Sequence, residues 1–325
     1  MSNFPDFSRH GYQITQILGQ NYQGGRVTYK AKSLTTQQPI VIKQFRFAHS
    51  GACWEDYDAY EREIEVLRSL NHVGIPQYLD SFQTSTGFCM VQEYKSAPSL
   101  AVSRRWYPEE IKHIALSVLE ILVYLQSQTP LVIHRDLKPE NILVNRQGRL
   151  KVTLVDFGFA RIGGGEVAVS SSVKGTLGFM PPEQLFNRQL TAASDLYGLG
   201  ATLICLLTGT PSAEIGKLMN ADYQIHFKPL VSQLNPYWIN WLQKMVAPNL
   251  KNRYANAAEA INALKPIGVY SLGTKIGIPG TTFILFRMSL LGLGVPFLIG
   301  LLGLSIAFMK TAPSTNPSAH EIIEP

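Results

Sequence analysis

The rhythm of apolar and polar positions changes once along this chain. Residues 12–47 carry short β-type runs separated by turn residues. Residues 12–18, 27–33 and 39–47 read as strands, with Gly24-Gly25 marking the first turn and residues 35–38 the second. Residues 57–70 then place Ile64, Leu67 and Leu70 at helical spacing with charges between them. Residues 78–82 and 88–94 read as two further strands. Five strands and one helix predict a small β-rich lobe.

Beyond Tyr94 the pattern turns helical. Residues 108–126 set Ile111, Ile114, Ala115, Val118, Leu119, Leu122 and Leu125 on one face of a helix. Residues 194–207, 238–245 and 255–264 predict three more, the first of them apolar nearly all round. A lobe boundary therefore falls near residues 94–97. The expected organisation is a short tail (1–11), a β-rich lobe (12–94), a helical lobe (95–266) and a linker (267–287) rich in Gly and Pro. The run 288–309 follows, and residues 310–325 form a polar end. The fold class is α+β.

The run 288–309 holds no charge and is rich in Leu, Gly, Ile and Phe. At about 1.5 Å per residue its length matches a hydrocarbon core of roughly 30 Å. It is expected to be a single transmembrane helix. Lys265, Lys275 and Arg287 precede it and only Lys310 follows, which predicts a cytoplasmic N-terminal part at the cell membrane and a short extracytoplasmic tail. Gly303 and Ala307, four apart, are compatible with helix pairing in a homodimer.

Composition narrows the class further. The 325 residues are 46% hydrophobic and 10% aromatic, enough for a packed core. The net charge is +6, with no Lys/Arg run long enough for a nucleic-acid arm. Three widely spaced cysteines argue for a reducing compartment and against a disulfide framework. The N-terminus has neither a basic nor an apolar region, so no signal peptide is expected.

Candidate chemistry centres on two polar clusters. His134-Arg135-Asp136-Leu137-Lys138-Pro139-Glu140-Asn141 precedes β-type runs at 142–144 and 150–155, joined by Arg146-Gln147-Gly148. Asp156-Phe157-Gly158 comes next. Folded in register, that hairpin brings residues 138–141 alongside 153–156. Asp136, Asn141 and Asp156 then converge, with Lys138 beside them. Oxygen-bearing side chains gathered in one cleft call for a cation, and a hard metal sharing phosphate oxygens, Mg²⁺, suits them.

With Lys43, Glu63 and Pro181-Pro182-Glu183 in the same order, the chain resembles the eukaryotic-type (Hanks-type) serine/threonine protein kinases, in their membrane-anchored bacterial form. The resemblance covers about residues 12–266. It implies a two-lobed fold and transfer of the γ-phosphate of ATP to Ser or Thr hydroxyls of proteins, with Mg²⁺ or Mn²⁺. Asp136 would be the catalytic base and Lys138 would contact the γ-phosphate. Asn141 and Asp156 would hold the metal. Lys43 would bind the α- and β-phosphates and pair with Glu63, for which Glu61 and Glu65 are rivals. Gln92 stands at the gatekeeper position, and Glu93 and Lys95 would offer backbone groups to adenine. Thr176 would hydrogen-bond Asp136, Glu183 would pair with Arg253, and Asp195 would cap the catalytic loop. Arg135 would receive an activation-segment phosphate, with Ser172 the best placed of Ser170, Ser171 and Ser172.

The glycine-rich segment departs from the family pattern. Gly19-Gln20-Asn21-Tyr22-Gln23-Gly24-Gly25 lacks the central glycine and is two residues longer before Thr28. A backbone that cradles phosphate needs glycine for close approach. Gly19, Gly24 and Gly25 are the ATP-binding candidates here. The departure leaves open a second reading, a pseudokinase or scaffold of the same fold. A small-molecule kinase is a third, which the complete Pro-Pro-Glu segment disfavours.

Overall fold

The computed structural model describes residues 4–21, 25–46, 54–102, 104–163 and 175–270. These belong to one compact unit spanning residues 1–274. Gly24, Ser170, Ser171, Ser172 and the run 288–309 lie outside the described residues.

Five antiparallel strands make the first lobe: β1 (Tyr12–Asn21), β2 (Arg26–Ser33), β3 (Pro39–Arg46), β4 (Tyr78–Thr84) and β5 (Gly87–Glu93), in the order β1-β2-β3-β5-β4. Thr28, Lys43 and Met90 stand side by side across three strands, and so do Tyr29, Ile42 and Val91. Because side chains alternate, this register sorts the sheet into two faces. One face buries Val27, Tyr29, Ala31, Ile40, Ile42, Cys89 and Val91 together with Phe7. Residues read as a tail thus join the lobe: Phe7 packs edge-on to Tyr29 and Phe82, and the His10 ring stacks on Phe82. The other face carries Arg26, Thr28, Lys30, Val41, Lys43, Phe45 and Met90. It is the face that meets helix α1 (Trp54–Ser69), where Tyr60 packs against Phe45 with ring centroids 4.6 Å apart.

β1 is irregular just ahead of the glycine-rich segment, whose residues 19–21 pair regularly with β2. Its pairing with β2 slips between Ile14 and Gln16 and again between Ile17 and Gly19. Each slip adds one residue to one strand only, a bulge that bends it.

The second lobe is built on α2 (Pro108–Gln126), whose buried face runs from Ile111 to Leu125. Pro108 starts it, where a missing N–H costs nothing, and the Glu110 carboxylate accepts the Tyr107 N–H. The two short strand pairs β6 (Val132–Ile133) with β9 (Arg161–Ile162) and β7 (Ile142–Asn145) with β8 (Lys151–Leu154) cross its cleft side. Helices α3 (Pro182–Leu185), α4 (Ser194–Thr208), α5 (Pro236–Met245) and α6 (Ala257–Leu264) complete it. Every residue of α4 from Ser194 to Cys205 is buried, which explains its apolar character on all sides. Gly198 lies where α4 crosses the catalytic loop: a Cβ there would sit 2.9 Å from the Leu137 carbonyl oxygen and 3.2 Å from that of Phe179. Only glycine allows that approach. Among the described residues no single helix is long and apolar enough to cross a membrane.

Past α6 the chain stays on the lobe. Lys112 donates to the carbonyls of Lys265 and Ile267, and Leu234 bridges to Tyr270. The lobe also contains a buried ion pair. Arg253 Nη1 lies 2.8 Å from Glu183 Oε1, and the guanidinium also donates to the carbonyls of Ala193 and Ala247. Removing one partner leaves the other charged and without water, at a cost of about 3–5 kcal/mol. Glu183→Gln or Arg253→Met should lower the urea midpoint accordingly, and the double variant should lose less than the two single losses added. Circular dichroism during urea titration checks this.

Candidate active site

Two polar clusters face each other between the lobes. The first forms around Glu63, which is fully buried on α1. Lys43 Nζ on β3 pairs with Glu63 Oε1 and, at 2.8 Å, with Asp156 Oδ1. The rivals Glu61 and Glu65 sit on exposed positions of α1. A fourth member was not expected from the sequence. Arg26, the first residue of β2, reaches Glu63 Oε2 at 3.2 Å and Asp156 Oδ1 at 3.3 Å. Its guanidinium lies over the Phe45 ring, 4.5 Å from the centroid. The signal that could have revealed it is strand period. Arg26 lies two residues from Thr28, which pairs with Lys43, so both cations share one face.

The second cluster forms around Asp136. Its Oδ1 accepts from the Thr176 hydroxyl at 3.0 Å, and its Oδ2 accepts from Asn141 Nδ2 at 2.9 Å. Lys138 Nζ lies 2.9 Å from Asp136 Oδ2 and donates to Thr176 Oγ1 at 2.7 Å. The hairpin β7–β8 pairs Ile142 with Leu154, and the Val155 N–H donates to the Asn141 carbonyl at 2.9 Å. That register sets Asn141 beside Asp156, as the folded hairpin predicts.

Backbone shape and its supports place these groups. Arg135 (φ 70°) and Asp156 (φ 65°) both adopt left-handed backbone, uncommon outside glycine. Asp195, at the start of α4, accepts the His134 N–H on Oδ2 and the Arg135 N–H on Oδ1, each at 2.8 Å. The Gln184 side chain donates to the Arg135 carbonyl at 2.8 Å, a contact the sequence did not suggest. His134 is buried edge-on to Phe157, with centroids 4.7 Å apart. Its Nδ1 accepts the Asp136 N–H and its Nε2 faces the Val155 carbonyl, which assigns the ring proton to Nε2.

The nucleotide-side candidates fall into three groups. Gly19 pairs with Thr28 on the cleft face, with open space where a Cβ would stand. Gly25 has φ +59° and lies against β3: its carbonyl accepts the Arg46 N–H, and a Cβ would approach the Arg46 oxygen to 2.9 Å. Its close approach therefore serves the sheet. Glu93 and Lys95 pair with each other at 2.8 Å, and Lys95 also donates to the Val73 carbonyl. Their side chains are thus engaged outside the cleft, and what they can offer a base is backbone. The Glu93 N–H is used on the Gln77 carbonyl.

Charge balance sets the first cluster's protonation. Burial would raise the Asp156 carboxyl, but Lys43 and then Arg26 outweigh it and hold the group well below the ordinary carboxylate range. Burial would lower Lys43, but Asp156 and then Glu63 outweigh it, and its pKa rises. A carboxylate depressed in this way adds stability above its unfolded value of about 3.9, and that stability is lost as pH falls toward the lower folded value. The stability gap between wild type and Asp156→Asn should therefore be full near neutrality and close as pH drops from about 5 to 2. Thermal melts across that range check it; parallel curves would contradict the sign.

The model of the protein kinase domain family matches residues 12–264. The chain is 31% identical to serine/threonine-protein kinase D of Synechocystis sp. over 83% of its own length and 54% of that protein's. It is 31% identical to serine/threonine-protein kinase B of the same organism, over 84% and 49%. Serine/threonine-protein kinase 36 of Pongo abelii is 30% identical over 74% of this chain and 18% of that protein. The chain thus spans about half or less of the length of these curated relatives. A match over nearly all the residues that build both lobes and both polar clusters shows that the chain belongs to the protein kinase domain family.

Proposed function

We propose that this chain transfers the γ-phosphate of ATP to Ser or Thr hydroxyls of proteins. The observation that carries the reading is the Val155–Asn141 backbone hydrogen bond, which joins the segments that carry the two clusters. Asp136, with Lys138 and Thr176, stands on one side of the Asn141–Val155 hydrogen bond, and Asp156, with Lys43 and Glu63, on the other. A hydroxyl donor and a polyphosphate can be held side by side there, and phosphoryl transfer needs little beyond such positioning.

The donor set fits a hard divalent cation. Asn141 spends its amide nitrogen on Asp136, which leaves Oδ1 for a metal, and the Asp156 side chain keeps 32% of its exposure. Among the described residues no three His, Cys, Asp or Glu side chains cluster tightly enough to hold a metal ion. A cation here would complete its shell with phosphate oxygens, the usual habit of Mg²⁺, and Mn²⁺ accepts the same donors. Bound there, the ion would neutralise charge on the phosphates.

The protein's own groups divide the remaining work. Asp136 accepts the proton of the attacking hydroxyl, oriented by the Thr176 hydroxyl. Lys138, already between Asp136 and Thr176, reaches the γ-phosphate by turning its flexible stem. Lys43 meets the α- and β-phosphates while Glu63 and Asp156 fix its position. The backbone of Glu93 and Lys95 receives adenine. Relatives named as serine/threonine kinases support the choice of substrate.

Arg135 supports a regulatory site in the same reading. Its Nε is buried with no hydrogen-bond partner among the described residues, and burial, then Arg161 and Arg62, lower its pKa. An anion placed beside it would relieve that cost, and phosphate on Ser172 is the anion we assign. Incubation with Mg-ATP should yield phosphorylated Ser or Thr on a generic basic protein, together with phosphate on Ser172 by mass spectrometry. Asp136→Asn should cut transfer by roughly 10²–10⁴-fold while nucleotide binding persists. No transfer by wild type would point instead to the scaffold reading, which the missing central glycine favours.

We also place the catalytic lobes at the cytoplasmic face of the cell membrane, through residues 288–309. The support is the length and lack of charge of that run and the cations before it. Cell fractionation should find the chain in membranes and a 288–309 deletion in the soluble fraction.

A further inference from the structure

Arg26 has no place in the division of labour above, yet it touches both carboxylates that Lys43 already satisfies. Glu63 has Lys43 on Oε1 and Arg26 on Oε2, and Asp156 has both cations on Oδ1. Neither acid needs the second cation to avoid being buried alone. The Arg26 contacts, 3.2 and 3.3 Å, are longer than the 2.8 Å between Lys43 and Asp156. Its side chain keeps 22% of its exposure, against 6% for Lys43. Arg26 is thus the looser of the two cations: its departure would cost Glu63 Oε2 a donor, while Lys43 would stay in contact with both acids.

Its surroundings leave it room to turn. The guanidinium rests on the Phe45 ring, a flat support along which it can slide. Gly158 lets the guanidinium lie close against the backbone: a Cβ there would lie 2.8 Å from both terminal nitrogens. Arg26 also opens β2 directly after the glycine-rich turn, on the cleft face. The sequence of that segment, residues 19–25, lacks the family's central glycine, the residue type that lets backbone come close to phosphate. A guanidinium fork at the foot of the turn offers what the backbone gives up, since it matches phosphate oxygens with paired donors.

We infer that Arg26 is a phosphate-binding residue of the nucleotide site. In this structure it rests on Glu63 and Asp156; with a nucleoside triphosphate bound it turns to the phosphates while Lys43 stays with the acids. The inference rests on the ATP reading above and deepens it.

The test is calorimetric titration of the whole 325-residue chain with Mg-ATP and, separately, with adenosine, which lacks phosphate. Arg26→Met keeps an apolar stem over Phe45 and removes the charge. It should weaken Mg-ATP binding by about tenfold or more and leave adenosine binding unchanged. Arg26→Lys should fall between the two, because a point charge replaces only part of the fork. If Arg26→Met binds Mg-ATP as wild type does, the inference is overturned. Equal loss for Mg-ATP and adenosine overturns it as well, since Arg26 would then be a strut for α1. Should the Met variant fail to fold, Arg26→Lys decides: its ratio of Mg-ATP to adenosine affinity must drop below the wild-type ratio. Failure of wild type itself to prefer Mg-ATP over adenosine would sink the nucleotide reading rather than the role of Arg26 within it.

Discussion

A fully buried carboxylate, Glu63, governs how the first lobe is put together. An ionised acid without water is very costly unless cations and hydrogen bonds replace the solvent. Two cations do so here, and they come from adjacent strands, Lys43 on β3 and Arg26 on β2. Helix α1 docks where both strands present those side chains, Lys43 as the tighter partner and Arg26 as the looser one. The same cations hold Asp156, the first residue after the β7–β8 hairpin and its Val155 extension. Sheet, helix and the start of the activation segment are fixed by one neutralised group of four charges. Apolar packing of Ile64, Leu67 and Tyr60 supplies adhesion, but it does not select a register. The charges do.

The second lobe solves a related problem with the backbone. Arg135 and Asp156 sit in left-handed conformations that cost about 1–3 kcal/mol each and last only where neighbours enforce them. At Arg135 the enforcement is visible. Asp195 takes the amides of His134 and Arg135 on its two oxygens, and Gln184 takes the Arg135 carbonyl. Both supports come from elements after the activation segment, α3 and α4. The catalytic loop is therefore shaped by residues some 50–60 positions further along the chain.

Much of this could be read from the sequence because it is local. The HRDLKPEN and DFG clusters are linked by one hairpin, so strand period alone brings Asn141 next to Asp156. The resemblance pointed to Glu63 and left Glu61 and Glu65 as rivals; in the structure Glu63 is buried on the same helix as Leu67 and Leu70. What escaped depends on pairings that the local pattern does not encode. Arg26 follows a turn with an irregular glycine pattern, and its face is settled only by the β2–β3 register and the two β1 bulges. The pair β6–β9 joins two-residue strands about thirty positions apart, too short to leave a periodic signal. Phe7 belongs to a segment that looks like a tail, and only the sheet's second apolar face shows why it is buried.

The two clusters also have unequal freedom, and that asymmetry bears on how a nucleotide could be received. Asp136 is held by three side chains, each within 3.0 Å, and rests on a loop latched by Asp195. Among the described residues Asp156 has ion pairs on one oxygen only, and its side chain keeps a third of its exposure. In the proposed reaction the rigid side would aim a hydroxyl, and aiming tolerates little error. The adjustable side would receive a large, highly charged group, and there loose contacts would serve better than tight ones. In the inference drawn above, each long Arg26 contact is given up while Lys43 stays in contact with both acids, and the incoming metal and Arg26's new partners rebalance the charge. A site wholly preset for phosphate would need an array of unpaired cations in the empty protein, at a cost in mutual repulsion. Cations that rest on carboxylates until the ligand comes avoid that cost.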